Sequence, residues 1–299
     1  MQNLITQQIY KNKFDCIFVH LIRMAEYVRH IPLPKILDMG DAQSLNYIRG
    51  HSHRRGLWSI INRVESWRTE NYERHIWKNF DKTLVVSPID AEYLRQLNKQ
   101  MNVEVMPIGF DIRSLPFRLN KHLNKNICFL GNMRTFPNTD AVIWFCDKIF
   151  PLIKEHLPEV EFHIVGAEPS RHVMKLAARK DVYVTGKVDI VNQYVYDASV
   201  MVVPMRIGAG IQTKIYESMA LGTPVVTTPI GMEGIACTQG KDILIADAPD
   251  DFANKVVELI KNKNLRAQIS KCARQTAEKN YRYDKLLRKM DNILMSCSS

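Results

Sequence analysis

Val203-Pro204-Met205-Arg206-Ile207-Gly208-Ala209-Gly210-Ile211-Gln212-Thr213-Lys214-Ile215-Tyr216-Glu217-Ser218-Met219-Ala220-Leu221-Gly222-Thr223-Pro224-Val225-Val226 is the stretch on which the fold turns. The apolar run from Val200 to Met205 reads as a buried strand. A loop holding Gly208 and Gly210 follows, and a helical run extends from about Thr213 to Leu221. Gly222 stands where a helix C-cap is wanted, and Pro224 cannot continue the helix. Val225-Val226-Thr227-Thr228 is the next strand. Two strands joined by a crossover helix, opening from a glycine-containing loop, make a parallel α/β unit.

Such a helix start suits a phosphate. Free backbone N–H groups and the positive end of the helix dipole lie there, and glycines let the main chain approach an anion closely. Arg206 and Lys214 bracket the loop, one as a planar fork and the other as a point charge. Glu217 sits one turn in, where a carboxylate can accept both hydroxyls of a ribose diol. An ordinary strand–loop–helix with solvated charges shares the glycines and the basic residues. The ordered set Arg206, Gly208, Gly210, Lys214, Glu217, Gly222, Pro224 is far more specific.

That set resembles the donor-site signature of retaining glycosyltransferases of family 4 (glycosyl transferases group 1), in the form G-x-x-x-K-x-x-E-x-M-A-x-G-x-P-V-V. The resemblance implies a GT-B fold: α/β, with two Rossmann-like doubly wound domains facing a cleft. It implies that Arg206, Gly208, Gly210 and Lys214 hold the donor diphosphate and Glu217 the ribose. Many members carry a further glutamate, on the donor sugar, where Ala209 stands here, so the sugar contact is unassigned. Gly131 and Arg134 follow the first strand of the second domain, where the family often places a basic residue on the diphosphate; a turn with a solvated arginine is the alternative. Gly186-Lys187-Val188 matches the family's nucleobase-binding turn. Gly231-Met232-Glu233-Gly234 resembles a turn beside the donor sugar, which makes Glu233 a candidate replacement for the missing glutamate.

Around this stretch, strands alternate with helices over the whole chain, the pattern of parallel doubly wound units. Strands are expected at Phe14–His20, Lys35–Met39, Lys82–Ser87 and Val103–Pro107, with helices over Leu57–Phe80 and from Ser87-Pro88 onward, Ser87 as N-cap. The segment after Gly40 is expected as a loop. A polar, basic linker runs from Asp111 to Asn126. Beyond it come a strand at Ile127–Leu130, one helix over Pro137–His156, and further βα units to a final helix after Tyr281-Arg282-Tyr283-Asp284. The domains expected are residues 1–111 on the acceptor side, 112–284 binding the donor, and 285–299 as a helix crossing back onto the first. The resemblance is specific from Lys125 to about Asp284 and looser before it. The family's first domain ordinarily begins with strands and a glycine-rich acceptor loop that these residues lack, so the first domain is incomplete. Either it is minimal or the chain is an N-terminally truncated copy, and truncation is the preferred reading.

Composition sets the class. The 299 residues are 46% hydrophobic and 24% charged, ordinary for globular domains, and no apolar run approaches the ~18 residues that span a bilayer. The N-terminus shows no secretory signal, and the six cysteines form no C-x-x-C pair, which points to a cytoplasmic address. The net charge of +10 invites nucleic acid, an anionic membrane or an anionic substrate, but no nucleic-acid motif accompanies it.

In the first domain, His20 ends a strand, and Asp38 and Asp41 end the next, where many family members carry a His-Asp pair. Two carboxylates there serve as acid–base groups or acceptor-hydroxyl ligands, or cap the following helix. His20 and Arg23 are equally readable as structural. From Asp41 to Glu65 no acidic residue occurs, while Arg49, His51, His53, Arg54, Arg55 and Arg63 do. With Trp58 and Trp67 nearby, that region is either a solvated basic loop or a peripheral contact with anionic membrane or a polyprenyl diphosphate. The expected activity is transfer of a sugar, with retention, from a nucleotide-diphosphate sugar to a glycan or lipid-linked acceptor in cell-envelope polysaccharide synthesis. No cofactor or metal is called for, because Arg206 and Lys214 can neutralise the leaving diphosphate. The alternatives are a catalytically impaired nucleotide-sugar-binding remnant and a GT-B nucleotide-sugar epimerase.

Overall fold

The computed structural model describes residues 1–51, 57–119, 125–208 and 210–298. The chain forms two units, one of Met1–Gly109 with Ala209–Ile211 and Tyr283–Ser299, the other of Phe110–Gly208 and Gln212–Arg282.

The first unit runs α1 (Gln2–Lys11), β1 (Ile17–His20), a 3-10 turn (Ile22–Tyr27), β2 (Lys35–Gly40), α2 (Gln43–His51), α3 (Leu57–Ile76), β3 (Lys82–Val85), α4 (Pro88–Leu97) and β4 (Val103–Val105). Its sheet has the order β1-β2-β3-β4, all parallel. The buried pair Ile36-Leu37 shows why: a parallel strand covered on both faces must be apolar on both. Successive residues then serve opposite layers. Leu37 and Met39 join Val19, Val85, Ala91 and Leu94 in one core, whereas Ile36 and Leu84 face another. Ser87 caps α4 by accepting the Asp90 N–H at 3.1 Å, with Pro88 in the first position. Two helices depart from expectation. α1 gives no signal in the apolar pattern, because it is polar and none of its residues is buried. The segment after Gly40 is α2 rather than a loop, and it packs along α3.

The second unit runs β5 (Asn126–Leu130), α5 (Phe136–Trp144), a π-helical turn (Phe145–Ile149), α6 (Phe150–His156), β6 (Glu161–Val165), α7 (Arg171–Met174), β7 (Val182–Gly186), α8 (Val191–Asp197) and β8 (Val200–Val203). It continues through α9 (Thr213–Leu221), β9 (Val225–Thr227), α10 (Pro229–Met232), β10 (Leu244–Ile245), α11 (Pro249–Lys261) and α12 (Lys263–Asn280). The helix expected over 137–156 is present as an unbroken helical run from Phe136 to His156, widened at the π-helical turn, where Phe145 and Phe150 enter an aromatic cluster with Phe162 and Phe252. The expected strand–loop–helix–strand is present as β8, α9 and β9. Gly222 ends α9 in the left-handed region at φ 100°, and a Cβ there would lie 2.5 Å from the Arg118 carbonyl oxygen. The sheet order is β10-β9-β8-β5-β6-β7, parallel throughout. The last helix, α13 (Tyr283–Ser298), belongs to the first unit, where Ile293 packs on Ile36 and Leu84 and Lys289 donates to the Val105 carbonyl at 2.6 Å.

Candidate functional site

In the second unit the chain walks outward from β5 through β6 to β7, then returns to β8 on the other side of β5. The reversal leaves a crevice at the carboxyl ends of β5 and β8, the place where open α/β sheets bind ligands. The loops carrying Gly131 and Gly208 both leave the sheet there. Close backbone packing shapes it. A Cβ on Gly166 would fall 1.7 Å from the Gly131 carbonyl oxygen, and one on Gly131 would fall 2.7 Å from the Asn138 amide.

Lys214 sits in the first turn of α9. It donates to Asn138 Oδ1 at 2.7 Å, lies 4.4 Å over the Phe129 ring and is 8% exposed. Burial pulls its amine down to about 7, opposed only in part by the charge of Glu217. Glu217, one turn on, has its carboxyl pushed up by the same burial and pulled back by Lys214. These two expected residues are therefore electrostatically coupled. Arg206 is differently placed. Its guanidinium forks Asp140, with Nε to Oδ2 at 3.0 Å and Nη2 to Oδ1 at 2.6 Å, and lies over Trp144 at 5.3 Å. The cation is thus oriented by an acidic partner and a ring. Sequence reasoning missed Asn138 and Asp140. The available signal was a pair of polar residues in the first two turns of the helix that follows the Gly131 loop.

Arg134 is exposed and pairs with Glu168 at 3.5 Å. Gly186 ends β7 at φ 68°, its carbonyl accepting the Gly166 N–H at 3.2 Å, with Lys187 exposed and Val188 half-buried beyond it. Gly210 also has a left-handed φ, of 73°. Ala209, the position of the family's further glutamate, lies outside the described residues. Glu233 follows α10, whose N-cap Thr228 accepts the Gly231 N–H at 3.1 Å and donates to the Met205 carbonyl.

The first unit brings His20 and Asp38 together, Nδ1 to Oδ2 at 2.7 Å, while Asp38 Oδ1 accepts the Gly40 N–H at 3.0 Å. Leu21, immediately after His20, holds φ 73°, strained for a leucine. Asp41 accepts from Gln43 Nε2 at 2.5 Å and Asn46 Nδ2 at 2.9 Å; burial, then Asp90, pushes its carboxyl up. At the start of α2, the Ala42 N–H goes to Asp90 at 3.1 Å and the Ser44 N–H to Glu73 at 3.2 Å. Glu73, with no exposed surface, also accepts the Ser44 hydroxyl, and burial pushes it up to about 7. A cavity of about 620 Å³ lies beside these groups, lined by Leu21, Arg23, Glu26, Gln43, Tyr47 and Tyr72 among others. His53, Arg54 and Arg55 of the basic region lie outside the described residues. Among the described residues no helix is long and apolar enough to cross a membrane.

This architecture is the GT-B type of α/β fold. Residues 124–262, within the second unit, match the family model described as glycosyl transferases group 1. An uncharacterised 44.6 kDa protein in the cps region of Klebsiella pneumoniae is 25% identical over 219 residues, 70% of this chain and 55% of that protein. An uncharacterised glycosyltransferase of Methanocaldococcus jannaschii is 24% identical over 182 residues, 58% of this chain and 46% of that protein. The chain spans about half the length of the curated relatives it matches. Among solved structures, sucrose-phosphate synthase from Thermosynechococcus elongatus superposes with a TM-score of 0.78 at 15% identity, covering 99% of this chain and 76% of that one. Anabaena HepE in complex with UDP and glucose gives 0.76 at 13% identity, covering 99% and 81%. These structural likenesses are of fold.

Proposed function

We propose that the chain is a retaining glycosyltransferase, moving a sugar from a nucleotide-diphosphate sugar to a glycan or lipid-linked acceptor in cell-envelope polysaccharide synthesis. The observation that carries this reading is the cluster at the β5/β8 crevice, where Lys214, Asn138, Arg206 and Glu217 converge at a helix start. The match to the group 1 glycosyl transferase family model supports it, as does the fold shared with HepE, a protein solved with UDP and glucose. In this reading Lys214 and Arg206 meet the diphosphate with Gly131, Gly208 and Gly210, Arg134 adds a peripheral charge, and Glu217 takes the ribose. Gly186, Lys187 and Val188 hold the base, Glu233 the sugar. Lys214 gains charge as the diphosphate arrives and stabilises the leaving group as it departs. His20, held by Asp38, and Asp41 serve the acceptor. A second reading, a nucleotide-sugar-binding protein without transfer, is favoured by Ala209 in place of the family's glutamate.

Donor consumption followed by NMR, with and without a membrane extract as acceptor source, separates the readings. Transfer predicts turnover that rises with the extract. Stabilisation by UDP, GDP or ADP without turnover supports the binding protein. Conversion of the donor sugar with no acceptor marks an epimerase, and no interaction with any nucleotide defeats all three.

A further inference from the structure

Tyr216 stands between Lys214 and Glu217 in α9, and it is 1% exposed. A buried phenol ordinarily bonds its hydroxyl, yet among the described residues the Tyr216 hydroxyl has no hydrogen-bond partner. What holds this side chain is therefore its ring. It stacks on Tyr281 with centroids 4.4 Å apart and 22° between the planes, and on Phe110 at 5.9 Å and 18°. Tyr281 is itself fixed, its hydroxyl accepting the Ala236 N–H at 2.6 Å.

The two ring partners share a place in the chain. Apart from the short segment Ala209–Ile211, the chain enters the second unit at Phe110 and leaves it after Arg282. Entry and exit run side by side: the Phe110 N–H donates to the Tyr281 carbonyl at 3.0 Å, and Phe110 and Arg282 form a parallel bridge. The entering segment then stays on α9. Arg274 of α12 donates through Nη1 to the carbonyls of both Leu115 and Ala220, at 2.6 Å each, and the Arg118 N–H reaches the Leu221 carbonyl at 2.9 Å. The first part of what reads in sequence as a linker is thus strapped along the helix that carries Lys214 and Glu217. In a close-packed interior a ring stacked on two neighbours cannot shift without moving both. Resting on the nucleotide-binding reading of Lys214 and Glu217, we propose that Tyr216 is a positioning residue that couples the nucleotide site to the entry and exit segments. Nucleotide on α9 stiffens those segments, and by linkage a loosened stack weakens the nucleotide by the same factor.

The test measures amide hydrogen exchange in the full chain, with and without whichever of UDP, GDP and ADP binds tightest by calorimetry. Saturating nucleotide should slow exchange in peptides covering residues 108–115 and 279–285 as well as in the Gly131 loop. Tyr216→Leu should weaken the nucleotide about tenfold, within the usual range of coupling, and abolish the slowing in both segments while the loop is still protected at saturation. Tyr216→Phe keeps the ring and loses only the unbonded hydroxyl, so it should retain the whole response. Phe110→Leu, at a half-buried position, should diminish the response in the same way, and it serves where Tyr216→Leu fails to fold. The unmodified chain tests the coupling without any substitution: nucleotide that protects the Gly131 loop and leaves both segments unchanged overturns it, with the nucleotide reading intact. Leucine variants that respond like the parent overturn it too, as does a Tyr216→Phe variant that loses the response, which would assign the effect to the hydroxyl. Absence of binding by all three nucleotides defeats the nucleotide reading and this coupling with it.

Discussion

Lys214 has almost none of its surface in water, and the amine that burial pulls down to about 7 is therefore only half charged near neutrality. A diphosphate placed at the start of α9 restores the charge, so binding takes up a proton whenever the solution lies above that value. Affinity should then fall as pH rises from 7 toward 9, by up to tenfold per unit, or about 1.4 kcal/mol. Titration of UDP by calorimetry in buffers of differing ionisation heat measures both the slope and the proton. Lys214→Met should weaken the diphosphate by about 1.5–3 kcal/mol, leave the free nucleoside unchanged and flatten the pH dependence. A slope that survives Lys214→Met would remove the residue from the site. Lys214 and Glu217 were legible because motif and helix period fix them locally. Asn138 and Asp140 were not, since the partners that give them meaning stand 76 and 66 positions away in sequence.

At the start of α2, two acceptors from other elements, Asp90 of α4 and Glu73 of α3, take the N–H groups that a local cap would take. Sequence offered Asp38 and Asp41 for that task, and no local pattern shows that a carboxylate on a later helix arrives instead. The arrangement makes the first unit sensitive to pH. Glu73 holds a proton up to about 7 in the folded chain, against an ordinary value of 4.5. The native state binds the extra proton between those values, so its contribution is full below 4.5 and lost as pH rises through 7. The loss is on the order of 3 kcal/mol. Glu73→Gln keeps the shape without the charge, and its unfolding midpoint should exceed that of the parent at pH 8 and converge with it near pH 5. Parallel midpoint-versus-pH curves would show that Ser44, whose hydroxyl is in turn 2.9 Å from the Tyr93 hydroxyl, absorbs the charge. The element types were largely readable, β8, α9 and Gly222 above all, because apolar runs and a left-handed glycine are local signals. The π-helical turn inside the helix over 137–156 was not, being accompanied by aromatic packing among residues far apart in sequence.

Over the whole molecule, the alternation of strands and helices indicated parallel sheets, but strand order is a matter of long-range pairing. The β5/β8 reversal that locates the site emerged only in three dimensions. The resulting division of residues makes the proposed function separable. Lys214, Arg206 and Glu217 belong to the second unit, His20, Asp38 and Asp41 to the first. If the second unit binds the donor and the first serves the acceptor, substitutions should divide along the same line. Asp38→Asn frees His20 from its partner while preserving the size of the side chain. It should lower acceptor-dependent turnover about 10²-fold, the lower range for a lost acid–base group, with the UDP Kd held within roughly twofold. His20→Ala should match it, and the double variant should be no worse than either alone, because the two act as one pair. Lys214→Met should behave in the opposite sense, its main effect falling on the UDP Kd. The measurements are donor consumption by NMR with a membrane extract, and UDP affinity by calorimetry on the same preparations. Equal losses of affinity and turnover in Asp38→Asn would mean that the pair supports the fold of the first unit, and a lowered unfolding midpoint would accompany them. Turnover unchanged in both variants of the pair would remove His20 and Asp38 from the chemistry, leaving Asp41 as the acid–base candidate of the first unit.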